Sequence, residues 1–202
     1  MYFQKDYVLR MIEMMGELMR RMLSAAQETE ALEEIDEITQ KACGMPLPML
    51  RTASIETLTE LLSEAQRFLS AELLLIDTAI AARTHMDDEL LPRRMQTLSL
   101  YATLEDPDYM LIAAERSEKM LAEFLSDLPA DVLLPVAALL ERGDKLAAAE
   151  DALFMAREEH PAASEAVRAF YNRIEKLRDD ELLAGGLSRA EIAEGRAALG
   201  EE

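Results

Sequence analysis

The sequence predicts an all-α fold, and three observations support this prediction. Residues that favour helices dominate the composition, mainly Met, Leu, Ala, Glu and Arg. Aromatic residues make up only 5% and Trp is absent, which disfavours a β-sandwich or β-barrel. Apolar residues recur at three- and four-residue steps, the spacing of one helix face. We expect antiparallel helical hairpins that form a short α-solenoid or a bundle.

Two helices are predicted before residue 45. Helix one covers about residues 3–23, and residues 1–22 contain six methionines, most of them on or beside its apolar side. Helix two covers residues 28–44, because Gly44 can adopt the left-handed conformation that ends a helix. The prolines of residues 46–48 then break the pattern, since proline lacks a backbone N–H.

The central part of the chain predicts two further helices. Ser54 is an expected N-cap for a helix over residues 54–84, either continuous or broken near Ser70. The next helix covers residues 87–104, since acidic residues favour a helix N-terminus. Its proline, Pro92, is expected in the first turn.

The second half begins with a helix from Asp106, as N-cap, and Pro107, as first helical residue, to a point before Pro129. Residues 133–161 then predict a helical hairpin, LLPVAALLERGD followed by KLAAAEDALFMAREEHP. Gly143-Asp144 forms its turn, and alanines crowd its second helix, which allows close approach. Pro135 is expected in or near the first turn of its first helix.

The C-terminal part predicts one helix over residues 162–183, ended by Gly185-Gly186. Ser188 and Glu191 then form a capping box for a last helix that ends near Leu199. No period repeats cleanly. We therefore expect a single all-α unit over residues 1–202, with a weak subdivision into an N-terminal hairpin, 1–48, and a helical array, 49–202.

Charge and cysteine content limit the possible environments and partners. The net charge of −19 disfavours nucleic-acid and anionic-membrane binding. Cys43 is the single cysteine, which fits a reducing compartment. No apolar run approaches the ~20 residues that span a bilayer, and charges interrupt any signal-peptide core near the N-terminus. We expect a soluble cytoplasmic protein.

Catalytic and metal-binding motifs are not found. His85 and His160 are the only histidines, and neither has a glutamate three residues before it. His160 is best explained as a helix C-terminal residue, and Cys43 as a buried thiol. Nucleophile-elbow and phosphate-loop motifs are missing as well. We therefore predict no catalytic, cofactor-binding or metal-binding residue, no cofactor, and no enzymatic activity.

Two segments carry resemblances. MYFQKDYVLRMIEMMGELMRRML, ALEEIDEITQKACGMPLPML and SIETLTELL, within residues 2–62, resemble an uncharacterised bacterial family of unknown function, found mainly in Firmicutes and described as TPR-like. Residues 137–161 resemble a tetratricopeptide (TPR) hairpin at Gly143-Asp144, Ala148 and Pro161. The span from Gly143 to Pro161 is one residue longer than in the repeat, Lys145-Leu146 replaces the large aromatic residue after Gly-Asp, and a second clear copy is missing. The resemblances imply a TPR-like helical array.

Three hypotheses for function follow. The leading one is a protein-interaction or scaffold module with a protein or peptide partner, or with self-association through helix one. The alternative is a small-molecule-binding helical protein or an enzyme with a pocket between helices. A third is membrane attachment through helix one. Aromatic residues anchor interfaces, and four are interface candidates that fit a core equally well: Tyr101, Tyr109, Phe154 and Tyr171.

Overall fold

The computed structural model describes residues 28–83 and 87–200, which form eleven α-helices and no strand. The all-α prediction is confirmed; predicted helix one lies outside the described residues. The helices are α1 (Glu28–Cys43), α2 (Leu47–Thr52), α3 (Ile55–Leu61), α4 (Glu64–Arg83), α5 (Asp87–Ala102), α6 (Pro107–Phe124), α7 (Ala130–Arg142), α8 (Leu146–Glu159), α9 (Ser164–Ile174), α10 (Asp179–Ala184) and α11 (Arg189–Ala198). Short 3-10 turns cover Leu125–Asp127 and Pro161–Ala163.

The chain divides into two compact units between Tyr109 and Met110. No sequence signal marks a boundary at this position, which lies in the first turn of α6. The subdivision at residue 48 stays a prediction. Each unit has a core of its own.

Helix α4 is the centre of the first unit. It is buried on almost every side, which explains why its residues show no clear division into a polar and an apolar face. Helix α5 packs against it in antiparallel orientation. Asp77 of α4 pairs with Arg93 of α5, and Glu72 accepts a hydrogen bond of 2.5 Å from the Tyr101 hydroxyl farther along.

The second unit contains the predicted hairpin. Helices α7 and α8 pack along their length, and the Ala130 backbone N–H at the start of α7 donates to the Glu159 carboxylate at the end of α8, 2.5 Å away. The two helices are therefore antiparallel. Helix α9 follows through the short turn at Pro161, and α10 and α11 complete the unit.

Several predicted helix ends are confirmed. Gly44 has a φ of +74° directly after α1. The Ser54 hydroxyl accepts a hydrogen bond from the Thr57 backbone N–H at 3.2 Å. The Asp106 carboxylate accepts one from Asp108 at 3.0 Å, just before α6. Ser188 and Glu191 form the expected capping box before α11.

Two predicted long helices are in fact broken. The 54–84 pattern is interrupted at Leu62-Ser63 and not near Ser70, which is buried within α4. A capping box begins α4 after the break, because the Ser63 backbone N–H donates to the Gln66 side chain and the Gln66 N–H donates to the Ser63 hydroxyl. The 162–183 pattern is interrupted between α9 and α10, where Glu181 accepts a bond from the Arg178 N–H at 2.7 Å.

The prolines also differ from their predicted positions. Helix α1 ends before Pro46, as expected, but Pro46 and Pro48 then lie at the N-cap and in the first turn of the short helix α2, where a missing N–H costs nothing. Pro92 and Pro135 lie inside α5 and α7 and not in the first turn. Both are exposed, so water can satisfy the carbonyl groups that their rings leave without a partner.

Candidate functional site

A groove between α7 and α9 is the strongest candidate site in the described part of the second unit. It contains an open recess of about 770 Å³ and a smaller one of about 220 Å³. The two recesses are continuous, since Leu134 of α7 and Ala166 of α9 line both. The apolar residues that line this α7/α9 groove include Leu134, Ala138, Ala162, Ala166 and Ala169.

The two helices that form the groove run in the same direction. Leu134 and Ala166 face each other in the middle, and Glu141 and Arg173 pair farther along. Helix α8 connects them by running antiparallel to α7. From Asp131 to Glu141 the groove is about 15 Å long at ~1.5 Å per helical residue. That length fits a helical segment of about ten residues or an extended one of four to five.

Small residues explain why the hairpin beside the groove packs so closely. A Cβ atom on Gly143 would lie 2.3 Å from the Cβ of Ala114 on α6. Ala149, Ala152 and Ala156 of α8 are fully buried, as the alanine pattern of this helix predicted. The groove itself arises because the side chains on the facing surfaces of α7 and α9 are too short to fill the space between them.

One end of the groove is acidic. Asp131, Glu159 and Glu165 lie there, together with the exposed His160. The N-termini of α7 and α9 are at the same end, and each contributes about half a positive charge. Three carboxylates and the negative C-terminus of α8, set against the two positive N-termini, leave a net charge of about −2.5.

The other end of the groove carries little net charge. The Arg173 guanidinium donates two hydrogen bonds to the Glu141 carboxylate, at 2.6 and 2.7 Å. The hydrogen bonds to Glu141 raise the pKa of Arg173 above its ordinary value. Glu141 is mostly buried, with 17% of its side chain exposed. The pair joins α7 to α9 and cancels its own charges. With the C-termini of α7 and α9 and the N-terminus of α8 nearby, about −0.5 remains at this end.

A second polar cluster of this unit lies outside the groove. The Tyr171 hydroxyl donates to the Glu150 carboxylate at 2.5 Å. Burial raises the pKa of Glu150, although the Tyr171 hydrogen bond partly opposes this change. Burial, with Glu150 beside it, also raises the pKa of Tyr171. A Cβ on Gly195 would lie 1.7 Å from the Tyr171 hydroxyl oxygen, so α11 covers this cluster and leaves no space for a substrate.

The first unit contains a buried charge network. Asp77 of α4 is fully buried and accepts hydrogen bonds from Arg51 of α2 at 2.8 and 2.5 Å. Arg93 of α5 donates to it at 2.8 Å and also pairs with the half-exposed Glu89. Two arginines and two carboxylates balance each other. The network therefore joins three helices and offers no excess charge to a ligand.

The residues selected from the sequence have different surroundings. Tyr101 and Tyr171 are fully buried core residues. Tyr109 stacks on Phe68, with 5.1 Å between the ring centroids, and the Phe154 ring meets Tyr171 edge-on at 6.5 Å. None of the four candidate aromatics is among the residues that line the groove. Sequence reasoning missed the groove-lining residues, because isolated alanines carry no signal.

Cys43 and the two histidines are the side chains considered from the sequence for catalysis or metal binding. Cys43 is buried, and burial raises the pKa of its thiol. A hydrogen bond of 3.1 Å from the Ser70 hydroxyl partly opposes this rise. His160 caps the C-terminus of α8, as predicted, and His85 lies outside the described residues.

Over 28–83 and 87–200, no three His, Cys, Asp or Glu side chains converge on a possible metal position. None of the described helices is long and apolar enough to cross a membrane.

Comparison with known proteins identifies a family. The model of a family of unknown function (DUF6483) matches residues 2–201. The chain belongs to this family. No curated protein and no solved structure matches the chain. The match confirms the resemblance to a family of unknown function over almost the whole sequence, and the family description names no activity.

Proposed function

We propose that this DUF6483 protein is a protein-interaction module and that the α7/α9 groove binds a segment of a partner protein. The observation that carries the proposal is the groove itself. Two parallel helices present an apolar, alanine-lined channel about 15 Å long. Helical segments and extended peptides bind to other proteins in channels of this kind.

The helix order around the groove supports a TPR-like arrangement. Helices α7 and α9 run parallel, with α8 antiparallel between them, which is the order of stacked helical hairpins. In such arrays a surface formed by successive first helices commonly receives the partner. The proposal includes a cytoplasmic location, which agrees with the buried free thiol of Cys43.

The groove supports binding better than catalysis. Glu150, Asp151 and Tyr171 have raised pKa values through burial, yet none of them lines the groove. An active site would bring such groups together in a pocket with space for a substrate. We therefore assign the groove no catalytic residue and no cofactor.

Displayed peptide libraries test the proposal. A library of random twelve-residue peptides is selected on the full chain, and the enriched peptides are measured against two variants. Ala166→Trp fills the middle of the groove, whereas Ala122→Trp adds the same side chain on the exposed surface of α6. We expect Ala166→Trp to weaken binding at least tenfold and Ala122→Trp to leave it unchanged. Equal binding to both variants, or no enrichment on the unaltered chain, would contradict the proposal.

A further inference from the structure

We propose that the segment bound in the α7/α9 groove is cationic as well as apolar, with Lys or Arg at the Pro129 end and apolar side chains over Leu134 and Ala166. This inference rests on the proposed function and adds the chemistry of the partner and the end of the groove at which its basic residues lie. It follows from the unequal charge at the two ends of the groove.

Charge at the acidic end exceeds what the local helices require. Asp131 and Glu165 lie in the first turns of α7 and α9, where one carboxylate favours each positive helix end. Glu159 is the last residue of α8, where the helix dipole disfavours a negative charge. Its carboxylate accepts the Ala130 N–H, which fixes it at the mouth of the groove. With the α8 C-terminus counted, a sum of about −2.5 remains for a partner to neutralise.

The opposite end gives the groove its direction. The Arg173 and Glu141 charges cancel through two hydrogen bonds, so this end is far less negative than the Pro129 end. A bound segment therefore gains the most electrostatic energy when its basic residues lie beside Asp131 and Glu165. Charge complementarity of this kind sets orientation and speeds association.

The apolar middle of the groove selects the remaining side chains. Ala138, Ala162, Ala166 and Ala169 have short side chains and leave space above the backbone. Leu, Met or Phe from a partner can occupy that space and remove apolar surface from water. The preferred partner sequence is thus a short apolar stretch followed or preceded by basic residues, and an acidic segment is repelled.

Charge-neutral variants provide the test. Asp131→Asn with Glu165→Gln removes two charges from the groove and retains side-chain shape. Glu123→Gln with Glu194→Gln removes two exposed charges elsewhere in the same unit and leaves the same net charge. We expect the library-selected peptides to be enriched in Lys and Arg. Their affinity should fall about tenfold on the first variant, since exposed ion pairs contribute modestly, and stay unchanged on the second.

The outcomes separate this inference from the proposed function. Peptides that depend on Ala166 but are neutral or acidic, or that bind the Asp131/Glu165 variant equally well, would overturn the cationic inference and keep the groove function. A third outcome is that cationic peptides bind Ala166→Trp as tightly as the unaltered chain and lose the same affinity on both charge-neutral variants. That outcome would indicate general electrostatic attraction to an acidic protein. That result would overturn both. Circular dichroism of each variant confirms that it is folded.

Discussion

The turn between α7 and α8 allows a sharp test of how small residues determine the packing of the second unit. Gly143 has φ −92° and ψ 16°, a conformation that alanine adopts without strain. The obstacle to alanine is steric, because its Cβ would lie 2.3 Å from the Cβ of Ala114. Neither atom can rotate away, since each is bonded directly to the backbone. Gly143→Ala therefore forces α6 and the hairpin apart by more than 1 Å, given that carbon atoms separate by about 3.5 Å.

The cost is estimated from comparable overpacking. Adding one methyl group to a well-packed contact costs about 1–3 kcal/mol. Ala114→Gly removes the opposing Cβ and by itself costs about 1 kcal/mol, because glycine is a poor helix residue. In the double variant the two backbones can remain in place. We expect the double variant to lose only about 1 kcal/mol, well below the sum of the two single losses.

Urea unfolding of the full chain, followed by circular dichroism, measures these differences, and hydrogen exchange of α6 and α7 peptides assigns them to the second unit. Ala113→Gly is the matched control, because Ala113 is equally buried on the same helix but is not among the nearest neighbours of a Gly143 Cβ. Its effect should add to that of Gly143→Ala. If Ala114→Gly were also additive, the steric reasoning would be refuted.

Two further predictions concern buried charge. Asp77→Ala leaves Arg51 and Arg93 facing each other without their shared carboxylate, and we expect the free energy of unfolding in urea to fall by about 3–5 kcal/mol. The control, Glu89→Gln at a half-exposed position, should lower it by less than about 1 kcal/mol. Similar losses for the two variants would contradict the assigned network. Burial raises the pKa of Glu150 in the folded state. At pH values between the unfolded-state pKa and this raised pKa, the folded state binds more protons than the unfolded state. The stability contributed by Glu150 therefore rises as the pH falls through this range. Thermal unfolding from pH 7 to pH 4.5 should show the unaltered chain gaining stability relative to Glu150→Gln, and a constant difference would exclude the proton linkage.

Local signals predicted the helix content and many helix ends. Gly44, Ser54, Asp106 and Ser188 act through their own backbone or through bonds to residues close in sequence. These effects are readable from sequence, because they need no distant partner. The break at Ser63 was readable as well, since Ser63 and Gln66 have capping-box spacing. It was missed because the apolar periodicity continues through it.

Features that depend on distant contacts could not be predicted. In the sequence Asp77 interrupts an apolar run, and its burial depends on arginines of two other helices. The groove is a further example. Leu134 and Ala166 are both consistent with a core, and only the separation of α7 from α9 decides that they line an open channel. Hydrophobic periodicity identifies the apolar face of a helix but not which part of that face remains uncovered.

The alanines of the second unit have two different structural roles, and the difference between these roles is relevant to function. Ala149, Ala152 and Ala156 are fully buried, and their small size lets α8 pack closely. Ala166 is only partly buried and leaves apolar space open, although a larger side chain there would remove more surface from water. At about 25 cal/mol per Å², filling the groove would stabilise the unit. Ala166→Trp should therefore retain or raise thermal stability while peptide binding falls, whereas a purely structural groove would show only the gain in stability.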